Sequence, residues 1–494
     1  MRRLLLIFVL FNAFVLNSQD KGMFSFRDSL MQNYETFRGS TISAYEQFRD
    51  KVNNDYVTFL KSAWGNYSSL VADPHPRDAI RPVTPIVYDG VTPIRENPKI
   101  EVVPDFMPEL SPKPSPQVPI DTRPLLTEYK IVNFTLYNTL FKVKYPADLF
   151  IDDCTFDNNT IAEKWHKIAN SGIEQTILDL LVIRDSYKLC DWMYLHLLYA
   201  LASQLYESNH NAKILLFAYL YGHSGYKMRI GRAYNKIYLL YSSEHYIYDV
   251  PYYYVDNTRL YPFDCKETKL DICPASLPGE QSMSLIVESE PLLMQQKSTN
   301  RTLTSSKGVE VNSVINSSLL DFYSGYPSSS INDNPISCWA IVANAPLSTI
   351  AKNAIYPTLK AKIANCSVYD QVNLLLNFVQ TAFRYKKDSE EWGRERAFFA
   401  DEVLIYPYCD CEDRTVLFTR LVRDLLGLNC AIVYYPGHLA AAVEFPEELE
   451  VSGDRVILQN REFVICDPTY INSSVGMSMP GLDRTQVRAM ILAD

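Results

Sequence analysis

The stretch from Thr415 to Cys466 restricts the fold more than any other part of the chain. A helical run to about Leu426 with an apolar face of Val416, Leu417, Leu421 and Leu425 is followed by three apolar strands, Ala431–Tyr435, Leu439–Phe445 and Glu462–Cys466. A further helical stretch, QVNLLLNFVQTAF (371–383), precedes it. Helices first and meandering strands after predict an α+β fold.

The same order is visible earlier. A β-type opening, YKIVNFTLYNTLFKVKY (129–145), leads through a long apolar helix, MYLHLLYALASQLY (193–206), into aromatic runs KIYLLYSS and HYIYDVPYYYV with the look of antiparallel strands. Residues 125–297 therefore form a first α+β unit, 298–334 a Ser/Asn-rich connector and 335–494 a second unit. Upstream, 13 of the chain's 28 prolines fall between Pro74 and Pro124, so 72–124 reads as an extended, semi-rigid linker, either a spacer or a strip laid along the body's surface. Before it, large apolar residues recur every three or four positions from Phe26 to Ala63, and 20–71 reads as a helical N-terminal segment.

Arg2-Arg3 followed by the apolar run Leu4–Val15 is too short for a bilayer span of roughly 20 residues but has the layout of a secretory signal, assigned to 1–19. Export implies a periplasmic or extracellular protein, with membrane contact only through this segment if it stays uncleaved. An oxidising compartment also permits disulfides, and Cys265 with Cys273 is the pair that proximity favours. The formal net charge of −10 argues against nucleic acid as a partner.

Cysteine acyl transfer needs a thiolate, a histidine to hold its proton and an acceptor to fix the imidazole. In "CDCEDRTVLF", Cys411 falls at the first turn of a helix, where the exposed amides and the helix dipole lower a thiol pKa. His438 opens the strand of PGHLAAAVEF, and Asp467 stands at the end of the following one. Cys409 is the alternative nucleophile, less well phased with the helix. A rival arrangement, Cys409, Cys411, Cys430, His438 and Cys466 around zinc, has ligand spacing tighter than usual for such sites. No metal or cofactor is expected.

The boxes "DCEDRTVLFTRLVRDLLGL", "PGHLAAAVEF" and "ICDPTY" resemble the Cys, His and Asp boxes of the transglutaminase-like superfamily, over roughly Asp370 to Pro480. The resemblance implies a papain-like core with the nucleophile helix packed on an antiparallel sheet and Cys411, His438 and Asp467 as a triad. Gln380, upstream of the cysteine, becomes the candidate oxyanion donor. The first unit echoes the order, with Leu189-Cys-Asp-Trp192 opening a helix, but has no histidine near Lys236 to Tyr238, as a degenerate copy would.

Similarity to exported bacterial members implies an enzyme that forms a Cys thioester, for hydrolysis, deamidation or crosslinking of an envelope protein or peptide. The alternative is a non-catalytic envelope interaction module that retains the fold.

Overall fold

The computed structural model describes residues 43–44, 46–72, 84–90, 99–102, 105, 111–116, 127–152, 157–298, 300–332 and 334–493. The segment expected at 1–19 lies outside them. The chain divides into two units, Met1–Asp55 and Tyr56–Asp494. The described residues of the first are helical, and among the described residues no helix is long and apolar enough to cross a membrane.

The second unit is α+β, built on two antiparallel-dominated sheets. It begins with helical residues 56–61 and strand β1 (Gly65–Ser68), followed by β2 (Lys99–Glu101) and the hairpin β3 (Tyr129–Leu136) and β4 (Thr139–Pro146). Tyr137 and Asn138, both at positive φ (44° and 58°), make its two-residue turn, which matches the twist of the flanking strands. Four helices come next, α1 (Asn158–Ala169), α2 (Glu174–Ser186), α3 (Asp191–Leu205) and α4 (His210–His223). Strands β5 (Met228–Ala233), β6 (Lys236–Ser242), β7 (Tyr246–Ile247), β8 (Tyr253–Val255), β9 (Thr258–Pro262) and β10 (Lys269–Ile272) complete a first lobe.

Residues expected to form a connector are structured. They make the hairpin β11 (Arg301–Thr304) and β12 (Glu310–Ser313), helix α5 (Ser317–Ser324) and strand β13 (Ser329–Ser330), which pairs with β7. The second lobe holds α6 (Ser337–Asn344), α7 (Thr349–Ile363), α8 (Val368–Ala382), β14 (Arg384–Tyr385), α9 (Asp388–Glu391), α10 (Ala400–Ile405), β15 (Tyr408–Cys409) and α11 (Cys411–Leu426). It ends with β16 (Cys430–Tyr435), β17 (His438–Glu444), β18 (Arg455–Leu458), β19 (Arg461–Cys466) and β20 (Arg488–Ile491).

The two sheets share one topology. The first runs β1-β10-β5-β6-β9-β8, and the second, read from its other edge, β20-β16-β17-β19-β18-β2. Strands β10, β5, β6, β9 and β8 thus occupy the places of β20, β16, β17, β19 and β18. In each lobe the helix just before the sheet packs on its two central strands, α4 on β6 and β5, α11 on β17 and β16, with a second helix beside it, α3 or α8. The lobes differ in their borrowed strands, β1 beside β10 and β2 beside β18.

Those borrowed strands correct one expectation and decide between two others. Residues 65–68, placed in a helical segment, are extended because Tyr67 and its neighbours complete the first sheet. The described parts of 72–124 do not stand off as a spacer; they lie along the body. Ile471 N–H donates to Ile86 O at 2.8 Å and Tyr88 N–H to Ile471 O at 2.9 Å, while Val102 N–H bonds Ile457 O and Asp105 N–H bonds Ala489 O. Ile100 and Val102 pack on the apolar core of the second sheet. An extended proline-rich strip has unpaired backbone groups, and sheet edges supply their partners.

Candidate functional site

His438 is positioned by a tight turn. Pro436-Gly437 joins β16 to β17, with Gly437 at φ 83°, so that His438 pairs with Tyr435 as the first residue of its strand. Proline followed by a positive-φ glycine is the pattern of a type II turn. The ring is 1 % exposed, and its Nε2 lies 2.9 Å from Oδ2 of Asp467, itself fully buried. Nδ1 has no hydrogen-bond partner.

Asp467 directly follows β19. Its Oδ1 accepts the N–H groups of Thr469 (2.9 Å) and Tyr470 (3.2 Å), leaving Oδ2 for the imidazole. The Asp-Pro-Thr turn is thus both an ordinary turn and the device that aims the carboxylate. The loop beyond it is held from the helices. Asn373 of α8 accepts Val475 N–H, and the Arg414 guanidinium of α11 donates to the carbonyls of Gln380, Phe383 and Pro468.

Cys411 is the first residue of α11 and fully buried. The backbone N–H of Leu439, next to His438, faces its sulfur and acts to lower its pKa, and Thr415 Oγ1 links Cys411 O (2.9 Å) to Leu439 O (3.1 Å). The run Ala440-Ala441-Ala442 is fully buried in β17, on which α11 packs. The helix-start argument for a lowered thiol pKa is overridden here. Burial, then the carboxylates of Glu412 and Asp410, push the Cys411 thiol well up, and Glu412 Oε2 lies 3.5 Å from its sulfur.

Gln380 is buried at the site but is not free to serve as an oxyanion donor. Its Nε2 lies within 3.2 Å of Asp467 O, Tyr470 O, Ser473 O and Ser473 Oγ. It ties α8 to the loop that carries Asp467. Cys409 lies in β15, paired with Tyr385, its sulfur directed at Arg384 O.

The zinc arrangement is not assembled. Cys409, Cys430 and Cys466 have their sulfurs against the carbonyls of Arg384, Leu428 and Val464 respectively, and among the described residues no potential metal-ligand group joins them to His438. The nine described cysteines are all free thiols, Cys265 and Cys273 included; Cys273 is buried with its sulfur near Phe59 O.

The sequence showed three acids beside the thiol but not that they are buried with a fourth. Asp388, Asp410, Glu412 and Asp413 are all buried, and burial drives their carboxyls up, Asp388 to about 9 and Asp410 to about 7. Asp410, Glu412 and Asp413 stand in the CDCEDRTVLF motif itself. Asp388, more than twenty residues upstream, gave no signal.

The first lobe holds a counterpart that the common topology locates. Lys236 opens β6 opposite Ala233, as His438 opens β17 opposite Tyr435. Phe263 N–H bonds Leu239 O, which sets Asp264 in the place of Asp467. The first residue of α4, in the place of Cys411, is His210, with Nε2 2.9 Å from Ile237 O. Burial lowers its pKa, while the Asp264 carboxylate acts the other way. The sequence had matched the helix of Cys190 to that of Cys411. Cys190 instead precedes α3, the counterpart of α8, and no thiol stands at the His210 position.

Comparisons with known proteins add no family. No family model matches the chain, no curated protein does, and no solved structure does.

Proposed function

We propose that the second lobe is a transglutaminase-like cysteine acyl-transfer site, acting on an amide or peptide bond of an exported protein or peptide. The observation that carries this reading is the buried His438–Asp467 pair, at 2.9 Å, whose other ring nitrogen has no partner. Its support is Cys411 at the start of α11, whose backbone carbonyl is linked through Thr415 Oγ1 to that of Leu439, the residue after His438. In this reading His438 Nδ1 takes the thiol proton and the sulfur attacks the amide carbonyl. The imidazolium returns the proton to the leaving amine, and water or a second amine cleaves the thioester. With the Gln380 amide committed to the loop, the oxyanion falls to the N–H of Cys411, unpaired within its helix.

The test is trapping of the acyl-enzyme. The full chain incubated with glutamine-containing peptides, with no amine added, and quenched in acid should give a thioester mass shift on the peptide holding Cys411, and a labelled primary amine should discharge it. Cys411→Ala should abolish it and Cys409→Ser should retain it. His438→Ala should slow acylation on the order of 10²–10⁴-fold. A shift that persists in Cys411→Ala rejects the site.

A second reading, a non-catalytic envelope module, is favoured by one set of observations. All three triad side chains are buried, and the strip at 86–88 bonds to the loop behind Asp467. Absence of acylation on every amide tested, with the fold intact, would support that reading.

A further inference from the structure

The chain that leads into α11 gathers carboxylates from three places. Asp388 begins α9, Glu395 follows in the loop, Asp410 precedes α11 and Glu412 lies in its first turn. One oxygen from each lies within 4.8 Å of those of the other three. Asp388, Asp410 and Glu412 are no more than 3 % exposed, and Glu395 is half-buried.

Acids alone would not argue for a ligand, but Asp410 does. It is fully buried, and neither of its carboxylate oxygens receives a hydrogen bond. The first-turn N–H groups of Glu412 and Asp413 face it without a capping bond forming. The two neighbouring guanidinium groups are engaged elsewhere, Arg396 with Glu402 and Arg414 with backbone carbonyls. A buried carboxylate with free lone pairs, aimed at three other carboxylates, is what a cation site looks like before the ion.

We propose that Asp388, Glu395, Asp410 and Glu412 bind a single Ca²⁺. The ligand set is all carboxylate oxygen, which suits a hard cation. Ca²⁺ accepts about six to eight oxygens at about 2.4 Å in a flexible geometry, which carboxylates from a helix start, a loop and a second helix N-terminus can meet, whereas Mg²⁺ demands a regular octahedron at about 2.1 Å and keeps several waters. Glu395, the half-buried member, also lines a small cleft with Arg394 and Arg396, and so gives the ion a way in. The cluster borders the Cys411 sulfur, 3.5 Å from Glu412 Oε2, but the proposal does not rest on acyl transfer by Cys411.

The full chain, stripped with chelator, is to be titrated with Ca²⁺ by equilibrium dialysis. Tb³⁺ emission sensitised by the nearby Trp392 and displaced by Ca²⁺ gives a second readout. The expected result is one saturable Ca²⁺ per chain, with affinity lowered at least tenfold in Glu395→Gln and in Asp388→Asn. If Asp388→Asn fails to fold, Glu395→Gln at the half-buried position decides alone. No saturable Ca²⁺ up to millimolar concentration overturns the site, as does binding unchanged in the variants, which would locate the ion on other surface acids. Preference for Mg²⁺ at equal concentration overturns the assignment to calcium.

Discussion

Gln380 illustrates how a side chain can matter to a site without touching the reacting atoms. Its buried amide nitrogen bridges carbonyls of Asp467, Tyr470 and Ser473, so replacing it with an isosteric apolar group strands buried acceptors. Gln380→Leu should therefore cost about 1–3 kcal/mol in urea unfolding, while Gln380→Glu restores size but not the donor and should recover little. Exposure sets a second expectation at this scale. Cys366 is half-buried and Cys411 fully buried with its thiol pushed up. Iodoacetamide at neutral pH should label Cys366 before Cys411, as peptide mapping over time would read; faster labelling of Cys411 would mean that the site opens readily in solution.

Among the elements, the strip that ties the lobes' edges depends on one glycine. Gly225, at φ 98°, faces the backbone of Ser115 so closely that a Cβ would fall 2.2 Å from the Ser115 carbonyl oxygen. Gly225→Ala adds a positive-φ strain to that collision. It should lower stability by about 1–3 kcal/mol and make residues 111–116 cleavable in limited proteolysis of an otherwise protected body. That contact was not legible in the sequence, because backbone pairing of a proline-rich strip leaves no apolar periodicity. The strands around the site were legible. Turn residues and alternation put β16, β17 and β19 within a residue of their observed ends. The match of Cys190 to Cys411 failed for a related reason: α3 and α4 are buried on most sides, and a helix without a polar face does not announce which neighbour it packs against.

Across the whole molecule, the repeated topology could be read from the order of helices and strands, but the acid cluster and the folded-down strip could not, since both depend on partners distant in sequence. The join between the lobes is also such a place. His245, 3 % exposed beside the β7–β13 pairing, has Nδ1 3.2 Å from Ser329 Oγ and accepts Leu285 N–H at Nε2. An Nε2 that accepts requires the neutral ring, and burial lowers its pKa to about 4. Between that value and about 6.5, its unfolded value, the unfolded chain binds the extra proton. Stability from this group is therefore full above about pH 6.5 and falls as the pH drops toward 4, by up to about 3 kcal/mol. Buried Asp401 and Glu402, raised to about 6 and about 7, act in the opposite sense, since the folded state holds their protons more tightly. A single pH curve would mix the two effects, and a difference separates them. Thermal or urea unfolding of His245→Gln against the parent should show a gap that is largest near pH 7 and shrinks by about pH 4; a gap constant across that window would mean that the ring is charged, or exposed, in the folded protein.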